Sequence, residues 1–190
     1  MKRLLPLALL PLLALVACER ATETRDRDGR TPLIRAAESG DNALVRSLLS
    51  ERANVNAVDH CAWSPLMKAA LQGHVDTVRT LLAHGASVET RDNAGYSALM
   101  VAAGNGHAAV VDLLIEHGAL VDASEPINGQ TALQWAAQRG FTEVVARLLA
   151  AGADPSRTDR HGRDAAQYAR DAGQMQLADD LQARRQALTH

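Results

Sequence analysis

Thr31-Pro32-Leu33-Ile34-Arg35-Ala36-Ala37, closed by Gly40, is the stretch whose reading decides the fold. It returns as Ser64-Pro65-Leu66-Met67-Lys68-Ala69-Ala70 with Gly73, and as Ser97-Ala98-Leu99-Met100-Val101-Ala102-Ala103 with Gly106. A fourth copy is Thr131-Ala132-Leu133-Gln134-Trp135-Ala136-Ala137 with Gly140, and a weaker fifth runs from Asp164-Ala165-Ala166-Gln167 to Gly173. Each copy begins with a residue whose side-chain oxygen can accept from an N–H of the first helical turn. Pro32 and Pro65 follow at the first helical position, where a missing N–H costs nothing. Leu33, Ala36 and Ala37 fall at i, i+3 and i+4, one face of a helix. The glycines stand where a left-handed residue ends one. Leu33, Leu66, Leu99 and Leu133 are spaced by 33, 33 and 34 residues. A period of that size signals stacked supersecondary units rather than one globular core.

A second helix follows each first one. Its apolar positions are Val45, Leu48 and Leu49, then Val78, Leu81 and Leu82, then Val110, Val111, Leu114 and Ile115, then Val144, Val145, Leu148 and Leu149. Three of these helices run into Gly85-Ala86, Gly118-Ala119 and Gly152-Ala153, but the first runs into Arg52-Ala53. A left-handed Arg costs about 1 kcal/mol, so that corner is predicted to be the least regular. Gly29, Gly95, Gly129 and Gly162, with Asp26, Asp92 and Asp159 before three of them, mark tight turns between units. One helical hairpin of this size cannot bury its apolar stripe alone, whereas stacked copies share a continuous core. Composition agrees: 47% of the 190 residues are hydrophobic but only 3% aromatic. The apolar content is therefore mostly Ala, Leu and Val, suited to closely packed helices rather than strands.

These residues spell D-x-x-G-x-T-P-L-x-x-A-A-x-x-G-H-x-x-V-V-x-x-L-L-x-x-G-A-x-V, a pattern that resembles the ankyrin repeat. The resemblance covers residues 26–185. It implies an all-α solenoid of stacked helix-turn-helix units with β-hairpin-like finger loops, slightly curved and L-shaped. The repeats fall at about 26–58, 59–91, 92–124 and 126–158, with a C-terminal capping repeat at 159–185. In that cap Leu177 and Leu181 are predicted to point inwards and the charged residues between them outwards. One departure is consistent. The His of the family's T-P-L-H is Ile34, Met67, Met100, Gln134 and Gln167 here. That His usually bonds across repeats, so apolar packing is predicted to replace some of this bonding. The fourth unit also carries an insertion near Ser124-Glu125-Pro126-Ile127-Asn128-Gly129, which predicts a longer or differently shaped finger.

The N-terminus reads as an address. Lys2 and Arg3 precede an apolar run from Leu4 to Ala17. The run is shorter than the roughly 20 residues that span a bilayer, and matches a secretory signal peptide. Leu15-Val16-Ala17-Cys18 resembles the bacterial lipobox. The resemblance implies removal of residues 1–17, lipidation of Cys18, and a short tether over 18–25. The bilayer is then a partner through acylated Cys18. A periplasm-facing place in the bacterial cell envelope follows, with Glu19 leaning towards the outer membrane. Cys61 is left without a disulfide partner. The net charge of −2 becomes −4 once Lys2 and Arg3 are removed. Neither value suits a nucleic-acid binder.

No catalytic constellation stands out, and no cofactor or metal is expected. His74 and His107 repeat each other, as do His84 and His117 at helix ends, where a basic group is favoured. Their spacing echoes the fold. By resemblance, such proteins bind partners with finger tips and the exposed side of the inner helices. The candidate protein-binding residues are Arg27 and Arg30 in the first unit, and His60, Cys61, Trp63 and Gln72 in the second. The third contributes Asn93, Tyr96 and Asn105, the fourth Asn128, Gln130 and Arg139, and the fifth Arg160 and Arg163. Aromatic and Arg residues are the usual anchors of interfaces, although Trp63 also reads as packing on its own finger. Trp135 is read as core. The chain is expected to be a monomeric, non-catalytic scaffold or accessory protein for one or more unidentified proteins. The alternatives are an inhibitor or immunity-type protein for an exported enzyme or toxin, and a redox-linked accessory factor using Cys61.

Overall fold

A computed structural model of the protein describes residues 23–187; the signal-peptide and Cys18 readings lie outside them. Ten helices are found among the described residues, in five antiparallel pairs. The inner row is α1 (Pro32–Ser39), α3 (Pro65–Gln72), α5 (Ala98–Gly104), α7 (Ala132–Gln138) and α9 (Ala165–Asp171). The outer row is α2 (Asn42–Ser50), α4 (Val75–Ala83), α6 (Ala108–Glu116), α8 (Thr142–Ala150) and α10 (Met175–Ala187). Each inner helix packs on the inner helices before and after it and on its own outer helix. The fingers form no strand among the described residues, only the isolated antiparallel bridges Arg91–Ser97 and Ser124–Thr131.

The start signals act as expected. Thr31, Ser64, Ser97, Thr131 and Asp164 each accept from the N–H three residues on. Leu33, Leu66, Leu99 and Leu133 and the Ala-Ala pairs are sealed between neighbouring units, with Val45, Val78, Val111 and Val145 closing the core from the outer row. Leu177 and Leu181 are buried, as the capping reading requires.

Gly40 and Gly73 are needed twice over. Both have φ of +73°, the left-handed region. A Cβ at either would also collide with the ring of His74 or His107, which opens the next outer helix. Those rings tie repeats together, since His74 Nε2 lies 3.2 Å from the Glu38 carbonyl and His107 Nε2 3.0 Å from that of Leu71. A carbonyl only accepts, so both Nε2 atoms carry the proton. His84 and His117 place Nδ1 2.8 Å from the carbonyls of Thr80 and Leu113, within their own repeats.

The T-P-L-H departure divides into two outcomes. Ile34, Met67 and Met100 are buried and apolar, as predicted. Gln134 instead keeps the polar link: its Nε2 donates to the carbonyls of Arg157 at 2.9 Å and Arg163 at 3.0 Å. Its Oε1 accepts from the Thr131 N–H at 2.8 Å. At this one position the fourth interface is therefore polar and the earlier ones are apolar.

Each finger is built round one carboxylate. Asp26, Asp59, Asp92 and Asp159 each accept, on one oxygen, the backbone N–H groups two and four residues later. The fourth finger is one residue longer and carries Glu125 at this place. Its buried carboxylate accepts from Ile127, Asn128 and Gln130 at 2.6–3.1 Å. The extra methylene of Glu spans the extra residue. Pro126 comes with the insertion and has no N–H, so the backbone bond that joins the other neighbouring fingers is missing between the third and fourth. Those bonds are His60 N–H to Asp28, Asn93 N–H to Cys61 and Arg160 N–H to Asn128, at 2.8–3.1 Å. The Pro126 ring lies on Gly95 instead, and Arg91 Nη1 bridges the Gly95 and Ser124 carbonyls at 2.9 and 3.2 Å. Arg25 makes the same bridge to Gly29 and Val58 at 2.7 and 2.6 Å. Glu23 accepts from the Asn54 N–H at 2.9 Å. Residues 23–25, placed in the tether from the sequence, are thus engaged with the domain.

Among the described residues two that are not glycine sit in the left-handed region. Arg52 has φ of 65°, as the missing helix-end glycine implied, and Ala62 has φ of 64° in the one finger that lacks glycine. Arg52→Gly and Ala62→Gly are each expected to stabilise the protein by about 0.5–1 kcal/mol by relieving that strain. Urea unfolding would show the midpoint rising with an unchanged slope. Gly73→Ala is expected to lower the midpoint, because strain and collision with His107 act together.

Candidate protein-binding face

The inner helices carry two rows of residues along the side that the fingers flank. Four residues after each cap stand Arg35, Lys68, Val101, Trp135 and Tyr168. Seven residues after it stand Glu38, Leu71, Gly104, Gln138 and Asp171. The fingers add the residue just before each cap: Arg30, Trp63, Tyr96, Gln130 and Arg163.

At the first two repeats this face is an ion-pair ladder. Arg30 bridges Asp26, Asp28 and Glu38 at 2.8–3.2 Å. Lys68 reaches Glu38 at 3.4 Å and Asp59 at 3.7 Å, with its ammonium 5.0 Å from the Trp63 ring centre. These partly buried pairs hold Arg30 and Lys68 in place. From the far side of the second repeat to the fourth the face turns apolar. Trp63, Leu71, Tyr96, Met100 and Trp135 wall a notch of about 230 Å³, with Asn105 and Arg139 also lining it. Tyr96 and Trp135 meet edge to face, centroids 5.7 Å apart at 78°, a favoured aromatic geometry. Burial pushes the Tyr96 phenol up from its ordinary pKa, and the carboxylates of Glu125 and Asp92 push it further in the same direction. It stays neutral and available as a donor.

The structure gathers Trp63, Tyr96, Asn105 and Arg139 at this notch. It spreads Arg27, His60, Cys61, Asn93 and Arg160 along the exposed finger tips, with Asn128 half-buried among them and Gln72 exposed beside the notch row. Cys61 is an exposed free thiol. Two expectations change, those for Gln130 and Trp135. Gln130 is buried, because the longer fourth finger folds it inwards under Glu125, so it offers no surface. Arg163 keeps a partly exposed side chain that is also tied down: its Nη2 donates to Asp159 at 3.2 Å and to the Tyr168 hydroxyl at 2.6 Å, and its guanidinium stacks 4.3 Å from the Tyr168 ring centre. Trp135, read as core, is only half-buried and lines the notch. The signal for Trp135 was present, since its equivalents Arg35 and Lys68 are charged and a row that accepts charges faces water.

No group of three or more His, Cys, Asp or Glu side chains converges as a metal site among the described residues. The chain belongs to the ankyrin-repeat family: the family model described as "Ankyrin repeats (3 copies)" matches residues 8–92, 33–125 and 89–159. Ankyrin repeats are generally protein–protein interaction modules, and proteins built from them are typically non-catalytic scaffolds. A search of curated proteins gave no match.

The last finger supplies a pH test of its packing. Burial pushes the Asp159 carboxyl up, but hydrogen bonds from the Tyr168 hydroxyl, the N–H groups of Arg163 and His161, and the Arg163 side chain outweigh it and bring it to about 2. A carboxyl whose folded value lies below the unfolded 3.8 stabilises the fold above that pH, and the contribution is lost as pH falls towards 2. Melting temperature is expected to drop between pH 4 and 2. In Asp159→Asn it is expected to be lower at pH 7 and to depend less on pH across that window.

Proposed function

We propose that the protein is a lipid-anchored, periplasm-facing module that captures another protein on its concave face, working by rigid shape rather than by catalysis. One observation carries the binding part. Three large aromatic side chains, Trp63, Tyr96 and Trp135, stand half-exposed round a single notch. Aromatic anchors at such a place are what a protein interface uses. Membership of a family of interaction modules supports the same reading.

The anchoring part rests on Leu15-Val16-Ala17-Cys18. No helix within residues 23–187 is long and apolar enough to cross a membrane. Attachment is assigned to acyl chains on Cys18, two or more of which hold a protein stably. Glu23 and Arg25 are already bonded to the domain, so only residues 19–22 act as tether. At about 3.3 Å per residue they reach about 13 Å. The first repeat is then held against the bilayer surface, with the outer membrane favoured by Glu19. The exposed thiol of Cys61 supports a second reading, a redox-linked accessory role for the same module. Capture of an exported enzyme by the same face would make it an inhibitor.

Two measurements test this. Cys18→Ser is expected to abolish fatty-acid labelling and to shift the protein from membrane to soluble fractions; unchanged fractionation sinks the anchor. A photoreactive phenylalanine derivative at Gln72 or Arg139 is expected to crosslink a distinct protein in intact cells. The same group at Arg79, on the exposed side of α4, serves as control and is expected to give none. Equal crosslinking from all three positions would refute the concave face as the docking surface.

A further inference from the structure

Gly104 is the residue that the fold itself does not account for. It closes α5, is buried, and has helical rather than left-handed backbone. A Cβ there would meet only Trp135, at 3.7–3.8 Å, an ordinary contact. Glycine is less favourable in a helix than alanine, and it is otherwise used where something approaches the backbone closely. Nothing within the fold makes that approach. The notch lies over this position because the third repeat presents the smallest side chain in both concave rows. Val101 stands between Lys68 and Trp135, and Gly104 between Leu71 and Gln138. Gly104 therefore keeps the floor of the notch open.

The size and charge of the notch restrict its occupant. At about 230 Å³ it falls below the roughly 300–1,000 Å³ of small-molecule sites and suits one large side chain. None of its lining residues is acidic, and Arg139 on it is exposed with no ion pair among the described residues. The cations of the neighbouring ladder, Arg30 and Lys68, are already engaged. An open guanidinium beside an apolar floor complements a carboxylate beside an apolar side chain.

We infer that the notch is an anchor pocket for an extended segment of a partner protein that presents one large apolar side chain next to an Asp or Glu. The apolar group lies on Gly104 between Trp63 and Trp135, and the carboxylate pairs with Arg139. This rests on the protein-binding reading above and narrows it to one pocket and one partner chemistry.

The test is selection of a displayed library of random twelve-residue peptides on the full-length protein in detergent. Enriched peptides are expected to share Leu, Met or Phe adjacent to Asp or Glu. Their binding is expected to change tryptophan emission, since both tryptophans of the chain line the notch. Gly104→Leu fills the notch and is expected to weaken the best peptide by about tenfold or more. Gly104→Ala is expected to raise the melting temperature by about 1–2 °C while weakening the same peptide, a divergence that a purely structural glycine would not produce. Arg139→Glu is expected to weaken the acidic peptide and improve its Lys counterpart. The inference is overturned by enriched peptides that lack the apolar–acidic pair, by binding indifferent to Gly104→Leu, or by no enrichment at all. Peptides that bind but ignore Gly104→Leu would leave the protein-binding reading standing and remove only the notch. Absence of both enrichment and crosslinks from Gln72 and Arg139 would remove both.

Discussion

The contact on which the rest of the structure depends is the one between neighbouring inner helices across their Ala-Ala pairs. Ala36-Ala37, Ala69-Ala70, Ala102-Ala103 and Ala136-Ala137 are all essentially sealed from solvent. Small side chains let the helix axes approach closely, which brings Leu33, Leu66, Leu99 and Leu133 into one continuous core. No unit is stable alone, because its apolar stripe is covered only when the next unit arrives. That same approach sets the spacing of everything the units carry outwards. The concave rows, the finger carboxylates and the His rings over Gly40 and Gly73 all repeat at the pitch of the stack.

Departures from the repeat are then informative, because each is judged against equivalent positions with the same backbone. The fourth finger gains a residue, and its turn-organising carboxylate changes from Asp to Glu to span it. Pro126 removes one link between fingers, and Arg91 and the packing of Pro126 on Gly95 replace it. Gln134 restores a polar link at the fourth interface where Ile34, Met67 and Met100 leave the earlier ones apolar. These changes maintain the stack. Gly104 and Trp135 are not explained in this way, and they meet at the notch.

Much of this was legible beforehand. Local signals determine helix starts and stops through hydrogen bonds between residues three or four apart, so Thr31 or Ser64 as cap and Gly40 or Gly73 as terminator could be read directly. The strain at Arg52 was legible too, because it is a property of one residue's backbone. The roles of Asp59 and Glu125 were missed: one lacks the companion glycine and the other has the longer side chain and loop. Gln130 was misread as surface because its equivalents Trp63 and Tyr96 lie at the surface. Whether a side chain turns inwards there depends on the length of its own finger.

The sequence by itself determined the architecture, since its period, caps, glycines and apolar stripes are local or nearest-neighbour features that a stack of identical units repeats. It also determined which positions depart from the repeat. Only the tertiary structure decided what those departures build. Trp63, Leu71, Tyr96, Gly104, Trp135 and Arg139 come from three repeats and meet at one notch because stacking places equivalent positions side by side. The width of that notch depends on what neighbouring side chains leave unfilled, a difference of volumes that appears only once the helices are packed.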